Sequence, residues 1–216
     1  MDQLKNINIY SYLALGDSYT IGEGVPFEDN FPSRTVELLK EEGILFEAPE
    51  IVAKTGWTTS ELLDGISDAE LRDEYDFVSL LIGVNNQYRC LDIADFSEEF
   101  EILLHEALEF TGDRTERVVV LSIPDWSVTP FAKINLPDKT NRDITIARKE
   151  IEVYNAVCAL ICRKYKIDFI DITPGTQLAG DNPDMLVADG LHPSAKVYAS
   201  WAETLSEHFK RKILTP

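Results

Sequence analysis

Leu13-Ala14-Leu15-Gly16-Asp17-Ser18-Tyr19-Thr20-Ile21-Gly22 starts as an apolar run, Tyr12 to Leu15, and stops at small, polar, turn-prone residues. This reads as a buried strand that ends in a loop, with Ser18 just past its carboxyl end. In open parallel α/β sheets, sites form outside the carboxyl ends of the strands. Ser18 therefore stands where a nucleophile is useful. A serine hydroxyl is a weak nucleophile at neutral pH, so it needs a base beside it and donors that stabilise a developing anion.

Four more apolar runs follow: Phe46 to Ala53 (interrupted by Pro49), Phe77 to Gly83, Val118 to Ile123 and Ile167 to Ile172. Runs rich in Val, Ile and Leu without polar alternation suit parallel strands covered on both faces. Helical spacing separates them. The predicted helices are Pro32 to Glu42, Thr59 to Gly65 with Thr58 or Thr59 as cap, Ser97 to Thr111 with Ser97 as cap, Ile144 to Tyr165, and Ser194 to Ile213. Alternating strand and helix predict an α/β fold, a three-layer α/β/α sandwich built as one domain over residues 1–216. Pro124 to Asp143, which includes Pro137, fits no element and reads as a long loop on the same rim as Ser18.

The 216 residues suffice for a full core without disulfides or metals. The formal net charge is −18, which argues against nucleic acid, anionic membrane surfaces and polyanionic substrates as partners. Cys90, Cys158 and Cys162 form no C-x-x-C pair and read as buried free thiols. No His falls near them at metal-ligand spacing, so no metal is expected. The first ten residues hold no apolar run with a cleavage-type site, and no apolar run reaches the ~18 residues of a membrane span. A cytoplasmic protein is expected. Oligomeric state leaves no trace in the sequence.

Three histidines are available as the base. His105 and His208 fall in helical patterns among charged neighbours and read as surface or boundary residues. His192 lies in Ala188-Asp189-Gly190-Leu191-His192-Pro193-Ser194, with Pro193 in the first turn of the last helix and His192 at its cap. Asp189, three residues earlier, can reach back to the imidazole and fix its tautomer. An Asx turn followed by a helix cap would give the same segment. Candidate oxyanion donors are the Ser18 N–H, the Gly56 N–H after the second strand, and the Asn85 amide after the third. Trp57, Trp126 and Phe131 are candidate substrate-lining aromatics. Each would serve equally as packing.

These blocks, Gly16-Asp17-Ser18, Gly56, Gly83-Val84-Asn85-Asn86 and Asp189-Gly190-Leu191-His192, occur in the order seen in the SGNH hydrolases, the GDSL lipase/esterase superfamily, which the sequence resembles over residues 16–192. The resemblance implies a flavodoxin-like fold with a five-stranded parallel sheet of order 2-1-3-4-5. It implies Ser18 as nucleophile, His192 as base, Asp189 as its orienter, and Ser18, Gly56 and Asn85 as the oxyanion hole. It requires no cofactor. Asp17 is expected to be structural. Two residues depart from the family pattern: Tyr19 stands where Leu is usual, and Asn86 where Asp is usual.

The expected activity is hydrolysis of carboxylic esters with short acyl or acetyl groups, on a small-molecule substrate such as a small carbohydrate. An acyltransferase or a catalytically silent binding module on the same scaffold are the alternatives. A flavodoxin-like phosphate binder is disfavoured, since no G-x-x-x-x-G-K-[ST] loop or G-x-G-x-x-G fingerprint is present.

Overall fold

The computed structural model describes residues 8–135 and 143–215. Two short parallel strands, β1 (Ile9–Tyr10) and β3 (Leu45–Phe46), form a small separate pair. The main sheet holds β2 (Tyr12–Asp17), β4 (Glu50–Lys54), β5 (Phe77–Leu81), β6 (Val118–Leu121) and β7 (Asp168–Ile170). All are parallel, in the spatial order β4-β2-β5-β6-β7. Numbered within this sheet in chain order, that is 2-1-3-4-5, as expected. The second predicted strand is in fact two, because Pro49 cannot donate to a ladder and parts β3 from β4.

Every residue of β2, β5 and β6 is buried, which is why these segments are apolar without alternation. Helices cover the sheet: α1 (Ser18–Ile21), α2 (Phe31–Glu41), α3 (Thr59–Asp68), α4 (Val84–Tyr88), α5 (Ile93–Glu109), α6 (Pro130–Asn135), α7 (Ile144–Tyr165), α8 (Thr173–Ala179) and α9 (Ala195–Leu214). α9 packs on α2 and sends Phe209 onto the sheet. Its ring lies 4.2 Å from that of Phe77 and 5.1 Å, edge-on, from Tyr12. α5 packs between α3 and α7.

Several local expectations change. α5 begins four residues before Ser97, because Asp92 accepts from the Ala94 N–H at 2.8 Å and caps it, and Phe96 already belongs to its buried stripe. α9 begins at Ala195 with Ser194 at the N-cap position, so Pro193 and His192 precede it. A bridge between Leu186 and Pro193, with Val187 N–H bonded to the His192 carbonyl at 2.9 Å, keeps that stretch extended. The supposed loop after β6 contains a 3₁₀ turn, Trp126–Val128, and α6. Asp125 caps the turn by accepting from the Ser127 N–H at 3.0 Å, and Thr129 caps α6 through Ala132 N–H at 3.3 Å. Residues 136–142, with Pro137, lie outside the described residues. Cys158 and Cys162 are buried, but Cys90 is exposed. His208 is buried, because it faces inward from α9 beside Phe209, with Asp168 3.8 Å away. His105 is exposed.

Candidate active site

The carboxyl ends of β2, β4 and β5 put Ser18, Gly56 and Asn85 on one rim, where the strand order reverses around β2. Ser18 opens the short helix α1, not a loop. Asp17 caps that helix by accepting from Tyr19 N–H at 3.0 Å, which confirms its structural place. Asp17 is fully buried. Desolvation raises its carboxyl to about 7, against the lowering effect of the Tyr19 bond.

His192 Nε2 lies 2.9 Å from Ser18 Oγ, and Nδ1 lies 2.6 Å from Asp189 Oδ2. An ionised carboxylate only accepts, so Nδ1 carries the proton and Nε2 is left to accept from the serine. Burial pushes the Asp189 carboxyl up. Hydrogen bonds from the His192 ring and from the N–H groups of His192 and Leu191 outweigh it and hold the acid below the usual range. Asp189 is therefore charged where the imidazole needs a partner, and its other oxygen ties down its own loop.

Gly56 adopts φ +86°, a backbone conformation open mainly to glycine. Arg89 donates to its carbonyl, and Asn85 Nδ2 donates to the Trp57 carbonyl at 2.9 Å. Both bonds fix the turn after β4. An amide nitrogen has two N–H groups, so Asn85 keeps a second donor. Asn86 does a different job: it accepts from Thr59 N–H at 3.0 Å and donates to Thr59 Oγ1 at 2.6 Å, joining α4 to the start of α3.

A cavity of about 120 Å³ opens over Ser18. Trp126 and Phe131 line it, as does Tyr88, which the sequence did not single out. The three rings touch, with centroids 5.3–6.3 Å apart, and form a continuous wall. Trp57 plays another role. Its ring packs against Gly65 of α3, where an added Cβ would lie 2.2 Å from the indole. Tyr88 was hidden because an exposed Tyr in a short polar segment has no periodic signature. Gln87 was missed because a polar residue gives no sign in the sequence that it is buried: it accepts the Trp126 indole N–H at 2.8 Å.

The family model for the GDSL-like lipase/acylhydrolase family matches residues 14–199. The chain belongs to this family. Among curated proteins no sequence matches it. Similar solved structures include a lipase/acylhydrolase from Enterococcus faecalis (TM-score 0.71, 19% identity, covering 94% of this chain and 95% of that one). The psychrotrophic esterase EstA from Pseudoalteromonas sp. has a TM-score of 0.70 and 14% identity, covering 95% of this chain and 100% of that one. A variant of Axe2, an acetyl-xylooligosaccharide esterase from Geobacillus Stearmophilus, has a TM-score of 0.66 and 18% identity, covering 94% of each. At these identities the likeness is one of fold. This GDSL-family chain thus carries the family's blocks on the sheet rim that the fold reserves for sites.

Proposed function

We propose that the protein is a serine esterase that hydrolyses carboxylic esters of short acyl groups through an acyl-enzyme on Ser18. One observation carries the reading: Ser18 Oγ, His192 and Asp189 form an unbroken hydrogen-bonded line at 2.9 and 2.6 Å.

Ser18 Oγ attacks the ester carbonyl while Nε2 of His192 takes its proton. The imidazolium is stabilised by Asp189. The carbonyl oxygen becomes an oxyanion facing the N–H groups of Ser18 and Gly56 and the amide of Asn85, each donor worth on the order of 3 kcal/mol in the transition state. Collapse breaks the C–O bond to the alcohol, which leaves with the proton from His192. Water then attacks the acyl-enzyme with His192 again as base. The carboxylic acid departs and Ser18 regains its proton.

The aromatic wall and the small cavity favour short acyl groups. The acetyl-ester specificity in the name of one structural neighbour makes acetyl groups on a small carbohydrate a reasonable first substrate class. The test is covalent labelling by a fluorophosphonate, read by mass spectrometry, together with p-nitrophenyl acetate turnover. Adduct on Ser18 with ester turnover supports the reading. Folded protein that neither labels nor turns over would make it a binding module.

A further inference from the structure

The cavity over Ser18 has a neighbour. A second void of about 20 Å³ lies under the Pro124–Thr129 segment. Tyr19, Trp126 and Leu191 line both spaces and are the wall between them. Behind that wall the void reaches Ala179 of α8, Met185 and Val197 of α9. A void of this size has room for about one water-sized group, and an apolar one stays dry.

The three wall residues are held differently. Trp126 is fixed through its indole to Gln87, whose amide donates to Glu150 of α7 at 2.8 Å. Tyr19 is buried between His192 and Trp201, with ring centroids 5.2 and 6.4 Å away. Leu191 is half-buried. Its backbone is tied by Asp189 at 2.8 Å, but its side chain is held only by packing.

The lining of the Ser18 cavity is also mixed. At Thr55 and Gly56, Thr55 donates to Glu23 and Arg89 to the Gly56 carbonyl, a polar rim open to water. Val84, Trp126, Phe131 and Leu191 instead line the cavity with apolar surface. In an acyl-enzyme the alcohol has gone and the acyl chain stays. The departing alcohol needs a path to water, and the retained chain gains from apolar burial. The acyl chain therefore belongs against the wall.

Building on the esterase reading, we propose that Leu191 and Trp126 are the stop that sets acyl-chain length, and that the void behind them is a latent extension of the acyl subsite. Shortening the wall would join the two spaces.

The test is a kcat/KM series on p-nitrophenyl acetate, butyrate and hexanoate, and a parallel series on ethyl, butyl and hexyl acetate, for wild type, Leu191→Ala and Trp126→Leu. Folding of each variant is checked by circular dichroism. The hexanoate-to-acetate ratio is expected to rise about tenfold or more, the range that a methylene or two is worth in an apolar pocket. The alcohol series should not follow. Refilling the void in Leu191→Ala/Ala179→Leu should return the ratio toward wild type. The proposal is overturned if the ratio stays within about twofold of wild type in the folded variants, or if the alcohol series shifts instead. Wild-type protein that hydrolyses no ester at all is a different result; it removes the esterase reading itself, and the proposal with it.

Discussion

Ser18 Oγ and His192 Nε2 lie 2.9 Å apart although the two residues are 174 positions apart in the chain. The serine is fixed by the buried end of β2 and the Asp17 cap. The histidine is fixed by the Leu186–Pro193 bridge and by Asp189. Ser18→Ala and His192→Ala are each expected to lower p-nitrophenyl acetate turnover by about 10⁴-fold or more with unchanged circular dichroism. Asp189→Asn, which keeps the shape but loses the charge, is expected to lower kcat on the order of 10³- to 10⁴-fold. Steady-state kinetics of the three variants checks this.

Asn85 tests the oxyanion arm. On the proposed reading Asn85→Ala removes a neutral donor to the oxyanion, so kcat is expected to fall about 10²- to 10³-fold while KM changes little. Asn85→Asp should be worse, since it sets a carboxylate where the negative charge develops. Comparing kcat and KM for both variants gives the answer.

Asn86 departs from the family's usual Asp, and the structure supplies a reason. Its amide donates to Thr59 Oγ1, which donates onward to Glu99. Asn86→Asp turns that buried donor into a second acceptor, and Thr59 has one proton to give. A loss of about 1–3 kcal/mol in stability is expected, measured by urea unfolding.

Two buried groups set opposed pH dependences. Asp17 titrates near 7 in the fold against 3.8 ordinarily, because burial outweighs its one backbone bond. Between those values the folded state holds a proton that the unfolded state releases, so stability is full below about pH 4 and declines as pH rises to about 7. His208 is pushed down from 6.5 to about 4, mainly by burial, with Asp168 opposing and Lys212 and Arg211 adding to it. Its contribution is present above pH 6.5 and lost as pH falls toward 4. Asp17→Asn should flatten the decline toward neutrality, and His208→Gln the loss on acidification. Thermal midpoints from pH 4 to 8 check both signs.

Gly16 is fixed by space. A Cβ there would lie 2.1 Å from Thr20 Oγ1 and 2.5 Å from the Leu81 carbonyl of the adjoining strand. The carbonyl belongs to the sheet and cannot yield. Gly16→Ala is expected to cost about 3 kcal/mol, the upper part of the range for overpacking, read as a drop in thermal midpoint and in soluble yield.

The sheet was legible because its strands are buried on both faces, so their apolar runs need no tertiary information to be seen. Ser18, Gly56 and Asn85 were placed on the rim by the strand ends they follow, whereas the Asp189-to-His192 segment also read as an Asx turn and helix cap, and the roles given to all five rest on the family resemblance. The α6 segment was not legible. Its single apolar face is short, and the caps of the preceding turn and of α6, Asp125 and Thr129, look like ordinary loop residues until their bonds are seen. His208 was misread because its neighbours in sequence are charged, whereas its burial depends on which way α9 turns onto the sheet.

The sequence by itself determined the α/β alternation and the rim position of the serine, since these follow from local polarity and spacing. Only the tertiary structure decided which aromatics face the site. Trp57 is spent on Gly65, while Tyr88 joins Trp126 and Phe131 over Ser18. The physical reason is that a ring's role depends on the surface it packs against, and that surface is made by residues distant in the chain.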